Sequence, residues 1–277
     1  MIAAVTVLYN PQADVLENLK SYLHKVDKLF LVDNSDVSNQ GMFSELKNLA
    51  QIEYIFNNEN LGIATALNIG CEAALKDGYN WVLTMDQDSK IIELPEDFRE
   101  KLAENNKTAL YYPTYLINGE PYKYQIRENG NPLVVMSSGN FIELEAFTTV
   151  GGFEDKLFID YVDFDYCLKL KSSGFELEEI EGYKIAHELG KSTVKNLFLF
   201  KVLSTNHPVL RRYYITRNKL YMLQKYKSVI AFYDKEKSTL LKEIIKIILF
   251  EDQKFQKLKI MYRAYNDFKM NNFGKIK

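Results

Sequence analysis

Two groups of carboxylates have the spacing of a metal-dependent transfer site. The first is Asp86-Gln87-Asp88, which directly follows the apolar residues 81–85. Two carboxylates one residue apart at a strand tip offer the hard oxygen ligands that Mg²⁺ and Mn²⁺ prefer, and these ions also bind substrate phosphates. Because an isolated acidic triplet is also a common turn, the position at a strand end is what favours a metal site.

The second group comprises Asp160, Asp163 and Asp165, which precede a helical pattern. One aspartate could cap that helix, which is the usual structural role of the residue there. Another could be a general base. Three carboxylates in six residues exceed what one cap requires, so we expect at least one of them to be functional. His187 could complete a mixed oxygen and nitrogen coordination sphere, although a single histidine is more often structural.

A third group is cationic and aromatic. Arginine forks suit a diphosphate, and the alternative interpretation is a solvated, positive helix face. The group comprises His207, Arg211, Arg212, Tyr213, Tyr214 and Arg217. Neither a G-x-G-x-x-G nor a Walker A motif occurs, so a dinucleotide fold or a P-loop NTPase has little support.

The elements that must position these residues alternate along the first ninety residues. Helical spacing over 11–25 and 63–75 separates apolar strand patterns, which predicts a mostly parallel α/β sheet flanked by helices. The predicted strands are residues 2–9, 28–32, 52–56 and 81–85.

Polar or aromatic residues lie at or just past the end of each predicted strand. They are Tyr9, Asp33, Asn58 and Asp86. In open α/β sheets, ligands bind outside the carboxyl ends of the strands. We therefore expect these four side chains to line one crevice.

Length and composition favour a globular domain with an appendage. The 277 residues are 47% hydrophobic and contain no run of eighteen apolar residues, so no transmembrane helix is expected. The apolar N-terminus indicates a buried strand rather than a signal peptide, which favours the cytoplasm. Cys71 and Cys167 lie in helical patterns and are expected to be packed free thiols.

The C-terminal region differs from the rest in charge. From Lys219 onward, 14 Lys and Arg residues stand against 6 Asp and Glu, whereas the first 218 residues carry 21 basic and 31 acidic residues. From about Pro208 the pattern is nearly all helix, with apolar stripes over 240–249 and 255–268 among lysines. Such helices can lie in a membrane interface or pack on the catalytic domain or a partner subunit. The continuous stripes argue against a nucleic-acid arm.

With these residues assembled, the chain resembles a family 2 glycosyltransferase of the GT-A fold, in particular the bacterial rhamnosyltransferase-like subgroup. The motifs run in order over residues 3–218. They are Val5-Thr6-Val7-Leu8-Tyr9-Asn10-Pro11, Leu31-Val32-Asp33-Asn34-Ser35, Asn57-Asn58-Glu59-Asn60-Leu61-Gly62-Ile63-Ala64, Asn68-Ile69-Gly70, Met85-Asp86-Gln87-Asp88, Ser137-Ser138-Gly139-Asn140, Gly151-Gly152-Phe153, Leu157-Phe158-Ile159-Asp160-Tyr161-Val162-Asp163, His187, Arg212-Tyr213-Tyr214 and Arg217-Asn218.

The resemblance implies a role for each matched position. Tyr9 would stack on the pyrimidine base and Asp33 would accept a hydrogen bond from its ring N–H, with Val7 and Asn60 as further contacts to the nucleotide sugar. Asp86 would approach ribose and metal, Asp88 would be the main ligand of Mg²⁺ or Mn²⁺, and His187 would complete the metal site. The residues expected to close over the diphosphate are Arg212, Tyr213 and Arg217.

The implied reaction is an in-line displacement with inversion, in which Asp163 removes the proton of the acceptor hydroxyl. Asp163 occupies the place of the family's general base, usually the second residue of a Glu-Asp pair. Val162 replaces the glutamate here, so Asp160 and Asp165 remain alternatives. Ile63 stands where other members carry a lysine, a choice that fits the rhamnosyltransferase-like pattern.

The resemblance points to dTDP-L-rhamnose as donor and leaves a UDP- or dTDP-hexose open. The expected acceptor is a saccharide or a lipid-linked saccharide, in bacterial surface polysaccharide synthesis at the inner face of the plasma membrane. We expect a GT-A domain over residues 1–218 and a basic amphipathic helical extension over 219–277, which contacts membrane or forms a homodimer. A non-catalytic nucleotide-binding membrane adaptor is the alternative from another class, and no nucleic-acid partner is expected.

Overall fold

The protein is described by a computed structural model. The structure describes residues 1–48, 51–104, 107–187, 193–197, 200–204 and 206–276. All statements below refer to these residues.

The first half of the chain forms a parallel sheet. Its strands are β1 (Ile2–Leu8), β2 (Lys28–Asp33), β3 (Gln51–Phe56) and β4 (Trp81–Asp86), in the order β3-β2-β1-β4. Every residue of β1 is buried, because alternate side chains of this central strand pack into the separate cores on the two faces of the sheet. The four predicted strands are therefore confirmed.

Two helices connect these strands. Helix α1 (Val15–Lys20) is shorter than the pattern predicted, and a 3₁₀ turn, Leu23–Lys25, follows it. Ser21 marks the change, since its hydroxyl donates to the Asn18 carbonyl and accepts the Ile91 N–H. Helix α2 (Ile63–Lys76) lies against β1, where a Cβ on Gly70 would come within 2.3 Å of a Val5 methyl carbon.

The second half of the sheet is mixed. The elements after β4 are β5 (Ser89–Glu93), α3 (Phe98–Leu102), β6 (Thr108–Ile117), β7 (Glu120–Pro121), β8 (Arg127–Glu128), β9 (Asn131–Pro132), β10 (Asn140–Glu143), α4 (Leu144–Val150), α5 (Val162–Ser172), β11 (Glu176–His187), β12 (Thr193–Leu197) and β13 (Phe200–Ser204). After β4 the strand order continues β10-β6-β11-β5, with β7 beside β6, and only the β6–β11 pair of this half is parallel. Outside this sheet, β8 pairs with β9 and β12 pairs with β13 in two small hairpins. Short 3₁₀ helices cover Gln40–Asn48 and Asp155–Leu157.

The C-terminal region is helical, as its pattern predicted. Its helices are α6 (Val209–Lys225), α7 (Ile230–Phe250) and α8 (Lys254–Lys269). The expected domain boundary after residue 218 falls inside α6, and α8 packs back on that helix. None of the helices in the described ranges has the length and apolarity needed to cross a bilayer.

The two predicted apolar stripes divide in the fold. On α7, Leu241 and Ile245 are exposed. On α8, Phe255 and Tyr262 are exposed, whereas Met261 is buried, so the second stripe does not form one face. Other residues of the basic pattern are also buried: Lys257 is 2% exposed and pairs with Glu251 at 2.9 Å. Cys71 and Cys167 are buried free thiols, which confirms that expectation.

Candidate active site

Three parallel strands bring predicted site residues to one edge of the sheet. In the registers of β1 with its neighbours, Val7 pairs with Asp86 of β4, and Leu8 pairs with Asp33 of β2. Tyr9 follows directly and is 47% exposed. The strand ends therefore meet at one edge, as the alternating pattern predicted, and Asn58 lies exposed in the loop after β3.

Gln87 connects the acidic turn to the end of β1. The Tyr9 N–H donates to Gln87 Oε1 at 2.8 Å, and Gln87 Nε2 donates to the Tyr9 carbonyl at 3.1 Å. The Asn18 side chain donates to the Gln87 carbonyl at 2.9 Å. The middle residue of Asp86-Gln87-Asp88 thus ties this turn to Tyr9, a role that the sequence did not indicate.

Asp33 is fully buried and organises the loop after β2. Its Oδ1 accepts the Ser35 N–H at 3.0 Å, and its Oδ2 accepts the Asn39 N–H, the Asn39 side-chain amide and the Tyr54 hydroxyl. Burial alone would raise the pKa of Asp33, but the hydrogen bonds from Ser35, Tyr54 and Asn39 outweigh burial and hold the pKa below its usual value. The carboxylate is therefore ionised and already engaged within the protein.

Asn60 also has an internal role. Its Oδ1 accepts the Gly62 N–H at 2.9 Å and the Asn34 side-chain amide at 3.1 Å. Gly62 has φ +89°, and a Cβ there would come within 2.6 Å of the Phe158 carbonyl oxygen. Because the Ile63 N–H donates to that same oxygen at 2.7 Å, this loop packs tightly against the segment that precedes Asp163.

The acidic pair has two different environments. Asp86 ends β4, is partly buried, and its N–H donates to Ser138 Oγ at 3.0 Å, while Asp88 is exposed in the turn before β5. In the antiparallel pairing of β11 with β5, His187 lies opposite Ser89, the residue after Asp88. The side chain of His187 lies outside the described part of the structure.

Asp86 and Asp88 are the carboxylates available for a divalent metal at this strand end. Among the described side chains, no three of the His, Cys, Asp and Glu residues cluster closely enough to form a metal site by themselves. Two carboxylates in one turn nevertheless fit Mg²⁺ or Mn²⁺, since these ions commonly take one or two carboxylates and fill the remaining positions with water and substrate phosphate. Asp86, Asp88 and the backbone register of His187 are compatible with such a partial site.

A cavity of about 580 Å³ brings the two acidic groups together. Asp86 lines it from the sheet, and Asp160 and Asp163 line it from the start of α5. Of the four side chains expected to line one crevice, only Asp86 lines this cavity, whereas Tyr9, Asp33 and Asn58 do not. The predicted site residues Val7, Asn60 and Asp88 do not line it either. The remaining lining residues are Ile63, Met136, Ser137, Ile159, Tyr161, Val162, Phe164, Arg211, Ile215, Lys219, Glu236, Thr239 and Glu243.

Asp163 has the electrostatics of a base. Burial raises its pKa to about 7, and the negative charges of Asp160 and Asp86 contribute to the rise. At neutral pH, a carboxylate with a pKa near 7 is ionised in a substantial fraction of the molecules, and it binds a proton more strongly than an ordinary carboxylate does. Asp165 differs: it is fully buried and accepts hydrogen bonds from Lys225 at 2.6 Å and from the Tyr226 hydroxyl at 2.9 Å. Its interactions are structural.

The segment before Asp163 is held in an unusual backbone conformation. Phe158, Asp160 and Tyr161 all have φ between 63° and 68°, which is unfavourable for residues with a Cβ. Asn218 supports this segment, since its side-chain amide donates to the carbonyls of Leu157 and Ile159 at 2.7 Å each. The Arg217-Asn218 motif therefore fixes the approach to α5.

The structure does not bring the three residues predicted to close over the diphosphate to the cavity. Arg212 is 5% exposed and pairs with Glu251, and Tyr213 is buried and donates its hydroxyl to Asp267 at 2.7 Å. Arg217 is fully buried and donates to the Gly274 carbonyl at 2.7 Å. The physical reason is that α8 and the segment after it cover these side chains of α6.

Sequence reasoning missed several residues that line the cavity. Lys219, Glu236, Thr239 and Glu243 come from α6 and α7, within the region predicted to be only an extension. A polar residue on a helix carries no signal of what it faces until the helices are packed. The sequence indicates Arg211 only as a member of the cationic group, whereas in the structure Arg211 lines the cavity and pairs with Asp160 at 2.9 Å.

Comparisons with known proteins agree with this architecture. Residues 3–161 match the family described as "Glycosyl transferase family 2". The dTDP-rhamnosyl transferase RfbF of Shigella flexneri is 32% identical over 251 residues, which make up 81% of this chain and 80% of that protein.

Solved structures resemble the chain at lower identity. Residues 1–349 of S. aureus TarS in complex with UDP-GlcNAc share 12% identity, with a TM-score of 0.64 over 96% of this chain and 80% of that one. GalNAc-T7 with UDP, GalNAc and Mn²⁺ shares 13% identity, with a TM-score of 0.55 over 68% of this chain and 44% of that one. At these identities the likeness establishes the fold.

Proposed function

The chain belongs to glycosyl transferase family 2 and has the GT-A fold, and we propose that this glycosyltransferase moves L-rhamnose from dTDP-L-rhamnose to a saccharide acceptor. The similarity to a dTDP-rhamnosyl transferase supports this donor. Ile63 also supports it, because an apolar side chain in a cavity rich in carboxylates suits the methyl group of a 6-deoxyhexose.

The observation that carries the proposal is that Asp163 and Asp86 line one cavity. The acceptor hydroxyl attacks the anomeric carbon as Asp163 takes its proton, and the bond to the diphosphate breaks with inversion, releasing dTDP. The raised pKa of Asp163, about 7, suits proton acceptance near neutral pH. One base on the acceptor side suffices for this displacement.

We propose that the nucleotide binds at the carboxyl edge of β1, β2 and β4. The half-exposed ring of Tyr9 is available to stack on the base, beside Val7. Asp33 and Asn60 support this edge of the sheet, because their side chains accept hydrogen bonds within the loops that form it. Their direct contacts with the nucleotide remain predictions from the family pattern.

The proposed metal site comprises Asp86 and Asp88, with His187 as the third ligand. A bound Mg²⁺ or Mn²⁺ would offset the negative charge that develops on the departing diphosphate. Ser138 fixes the backbone of Asp86, and the Gln87 bonds fix the turn that carries Asp88. These residues hold the two carboxylates in place.

We further propose a lipid-linked saccharide acceptor in surface polysaccharide synthesis on the cytoplasmic face of the membrane. Exposed apolar side chains on α7 and α8, such as Leu241, Phe255 and Tyr262, lie among lysines and suit a membrane interface. A second copy of the chain is the alternative occupant of this surface. The division into a catalytic domain, residues 1–218, and an extension, residues 219–277, stays a prediction. Its boundary lies inside α6, and residues of the extension also line the cavity.

A donor screen tests the proposal. Purified protein receives dTDP-L-rhamnose, dTDP-glucose, UDP-glucose or UDP-GlcNAc with a lipid-linked saccharide acceptor, with and without EDTA. We expect transfer from dTDP-L-rhamnose that EDTA abolishes, with an inverted anomeric centre by NMR. Preferred transfer from a UDP-hexose would refute the donor, and retention of configuration would refute the mechanism.

A further inference from the structure

We propose that helix α7 forms the acceptor-binding wall of the cavity, and that Glu236, Thr239 and Glu243 hold a neutral saccharide by its hydroxyl groups together with Asp160. The inference rests on the proposed transferase function and names the acceptor side of the same site.

Helix α7 has two different faces. Glu236, Thr239 and Glu243 recur at intervals of three and four residues, so they share one helix face, and all three line the cavity with Asp163. Leu241 and Ile245 are exposed elsewhere on the helix. The region predicted to contact a membrane, the catalytic domain or a partner subunit therefore also builds part of this cavity.

Hydrogen bonds fix this wall relative to the catalytic helix. The Tyr161 hydroxyl donates to Glu236 Oε2 at 2.5 Å, and Tyr161 immediately precedes α5, which carries Asp163. Lys219 is 1% exposed, and its Nζ donates to Thr239 Oγ1 and Glu243 Oε1 at 2.8 Å each. A ligand on this wall would therefore be held in a fixed position relative to the base.

Asp160 offers an unused acceptor at the same cavity. Its Oδ1 accepts two hydrogen bonds from the Arg211 guanidinium, at 2.9 and 3.2 Å. Its Oδ2 is buried and accepts no hydrogen bond from any residue in the described ranges. An unsatisfied buried carboxylate oxygen is costly, and a ligand hydroxyl would satisfy it.

The charge of the cavity selects the class of acceptor. Five carboxylates and two cations line it, and a ligand carboxylate or phosphate placed against this wall would be repelled. Carboxylates accept hydrogen bonds from hydroxyl groups, and the rings of Tyr161 and Phe164 offer apolar surface to a sugar face. A neutral sugar at the reacting end of the acceptor fits these properties.

The wall formed by α7 lies on the side of the cavity that holds Asp163, which favours a role in binding the acceptor rather than the donor. Asp163 must contact the acceptor hydroxyl that it deprotonates. Asp160 lies three residues before Asp163 in the sequence, just ahead of α5. The proposed donor residues lie on the sheet edge, at the ends of β1, β2 and β4. No residue of α7 belongs to that edge.

Saturation-transfer NMR tests the inference without requiring turnover. The probes are methyl α-D-glucopyranoside and methyl β-D-N-acetylglucosaminide as neutral sugars and methyl β-D-glucuronide as the anionic match. Each is added to the 277-residue protein, first without dTDP and then with saturating dTDP. We expect signals from at least one neutral glycoside, at least tenfold weaker signals from the glucuronide, and no displacement of the neutral glycoside by dTDP.

Variants of α7 locate the binding. Thr239→Val and Glu243→Gln should weaken the neutral-glycoside signal at least fivefold, while the dissociation constant of dTDP by calorimetry changes less than twofold. Asp234→Asn, an exposed carboxylate of the same helix that does not line the cavity, is the matched control and should behave as wild type. Circular dichroism melting verifies that each variant is folded.

Three results would overturn the inference: no binding of either neutral glycoside, displacement by dTDP, or unchanged binding in both variants. Glu243→Gln removes the charge that pairs with Lys219 and could alter the local structure. Thr239→Val changes no charge, so the glycoside binding of this variant can be interpreted independently. Because the measurement is binding, it is separate from the donor screen: a protein that binds neutral glycosides on α7 but transfers no sugar would contradict the proposed function alone.

Discussion

Gln87 and Tyr9 exchange two hydrogen bonds, N–H to Oε1 at 2.8 Å and Nε2 to carbonyl at 3.1 Å, across the end of the sheet. One amide thereby couples the residue proposed to stack on the base to the turn proposed to bind the metal. Asn18 completes the link by donating to the Gln87 carbonyl at 2.9 Å. Gln87 is a positioning residue, since it would act on the nucleotide through Tyr9 and the acidic turn.

Replacement of Gln87 by alanine should weaken nucleotide binding. Loss of two hydrogen bonds of roughly 1 kcal/mol each corresponds to at most about a thirtyfold higher dissociation constant for dTDP, measured by calorimetry. The melting temperature should fall little, because the amide is at the surface of the site. Gln224→Ala, on an exposed position of α6, is the matched control. Unchanged dTDP affinity in the Gln87 variant would contradict the coupling.

Asp163→Asn should lower kcat by a factor of roughly 10² to 10⁴, because asparagine cannot accept the proton. Binding of dTDP should change less than twofold. Asp165→Asn should instead lower the stability by about 2 kcal/mol, because it leaves the Lys225 ammonium without its buried partner. Urea unfolding and initial rates distinguish the two effects. If Asp163→Asn retained full turnover while Asp160→Asn lost it, Asp160 would be the base.

The activity should depend on pH through Asp163. Its pKa of about 7 means that the base is protonated below neutrality, so kcat/KM should rise with pH up to about 7 and then level off. A bound cation near Asp86 would shift this midpoint downward. A flat profile from pH 5 to 8 would be inconsistent with an Asp163 base.

Stability should change with pH in the opposite direction. Because folding raises the pKa of Asp163, the protonated form favours the folded state, and this contribution is complete below the unfolded pKa near 3.8 and lost as pH rises through about 7. Asp163→Asn should therefore gain melting temperature relative to wild type between pH 4 and 8, in buffer without metal. A constant difference across this range would show that the folded-state pKa is not raised.

Asp88→Asn should weaken metal activation. We expect the Mn²⁺ concentration for half-maximal transfer to increase at least tenfold, since one charged oxygen ligand is lost from a site built on two carboxylates. Asp97→Asn is the matched control, as an exposed residue at the start of α3 where asparagine caps a helix equally well. Equal Mn²⁺ requirements in both variants would remove Asp88 from the metal site.

Arg212→Met should destabilise the fold rather than remove a diphosphate contact. The change removes one of the two cations that pair with buried Glu251 and leaves only Lys257. Breaking a buried ion pair in this way should lower the free energy of unfolding by about 3 kcal/mol. Arg263→Met, in an exposed pair with Asp267, should change stability by less than about 1 kcal/mol. If Arg212→Met weakened dTDP binding and left urea unfolding unchanged, the diphosphate role predicted from the sequence would be restored.

Much of the fold could be predicted from local patterns. The continuous apolar run of β1 and the helical spacing of α2 are short-range signals, and parallel strands place their carboxyl ends at one edge. Tyr9, Asp33 and Asp86 therefore lie at one edge of the sheet as expected, although only Asp86 of the three lines the cavity. The mixed half of the sheet was not predicted in detail, because its pairings, such as β6 with β11, join segments that are about seventy residues apart in sequence.

The ordered motifs were enough to indicate the family through their resemblance to it. Residue type and local spacing indicated the strand ends and the carboxylates that can do chemistry, because both are short-range properties. The tertiary structure decided which polar side chains face the cavity. Arg212 and Arg217 are buried under α8, while Glu236 and Glu243 of the expected extension line the cavity with Asp163. A helix presents its polar residues to several sides, and only the packing of neighbouring helices decides which of them face a ligand.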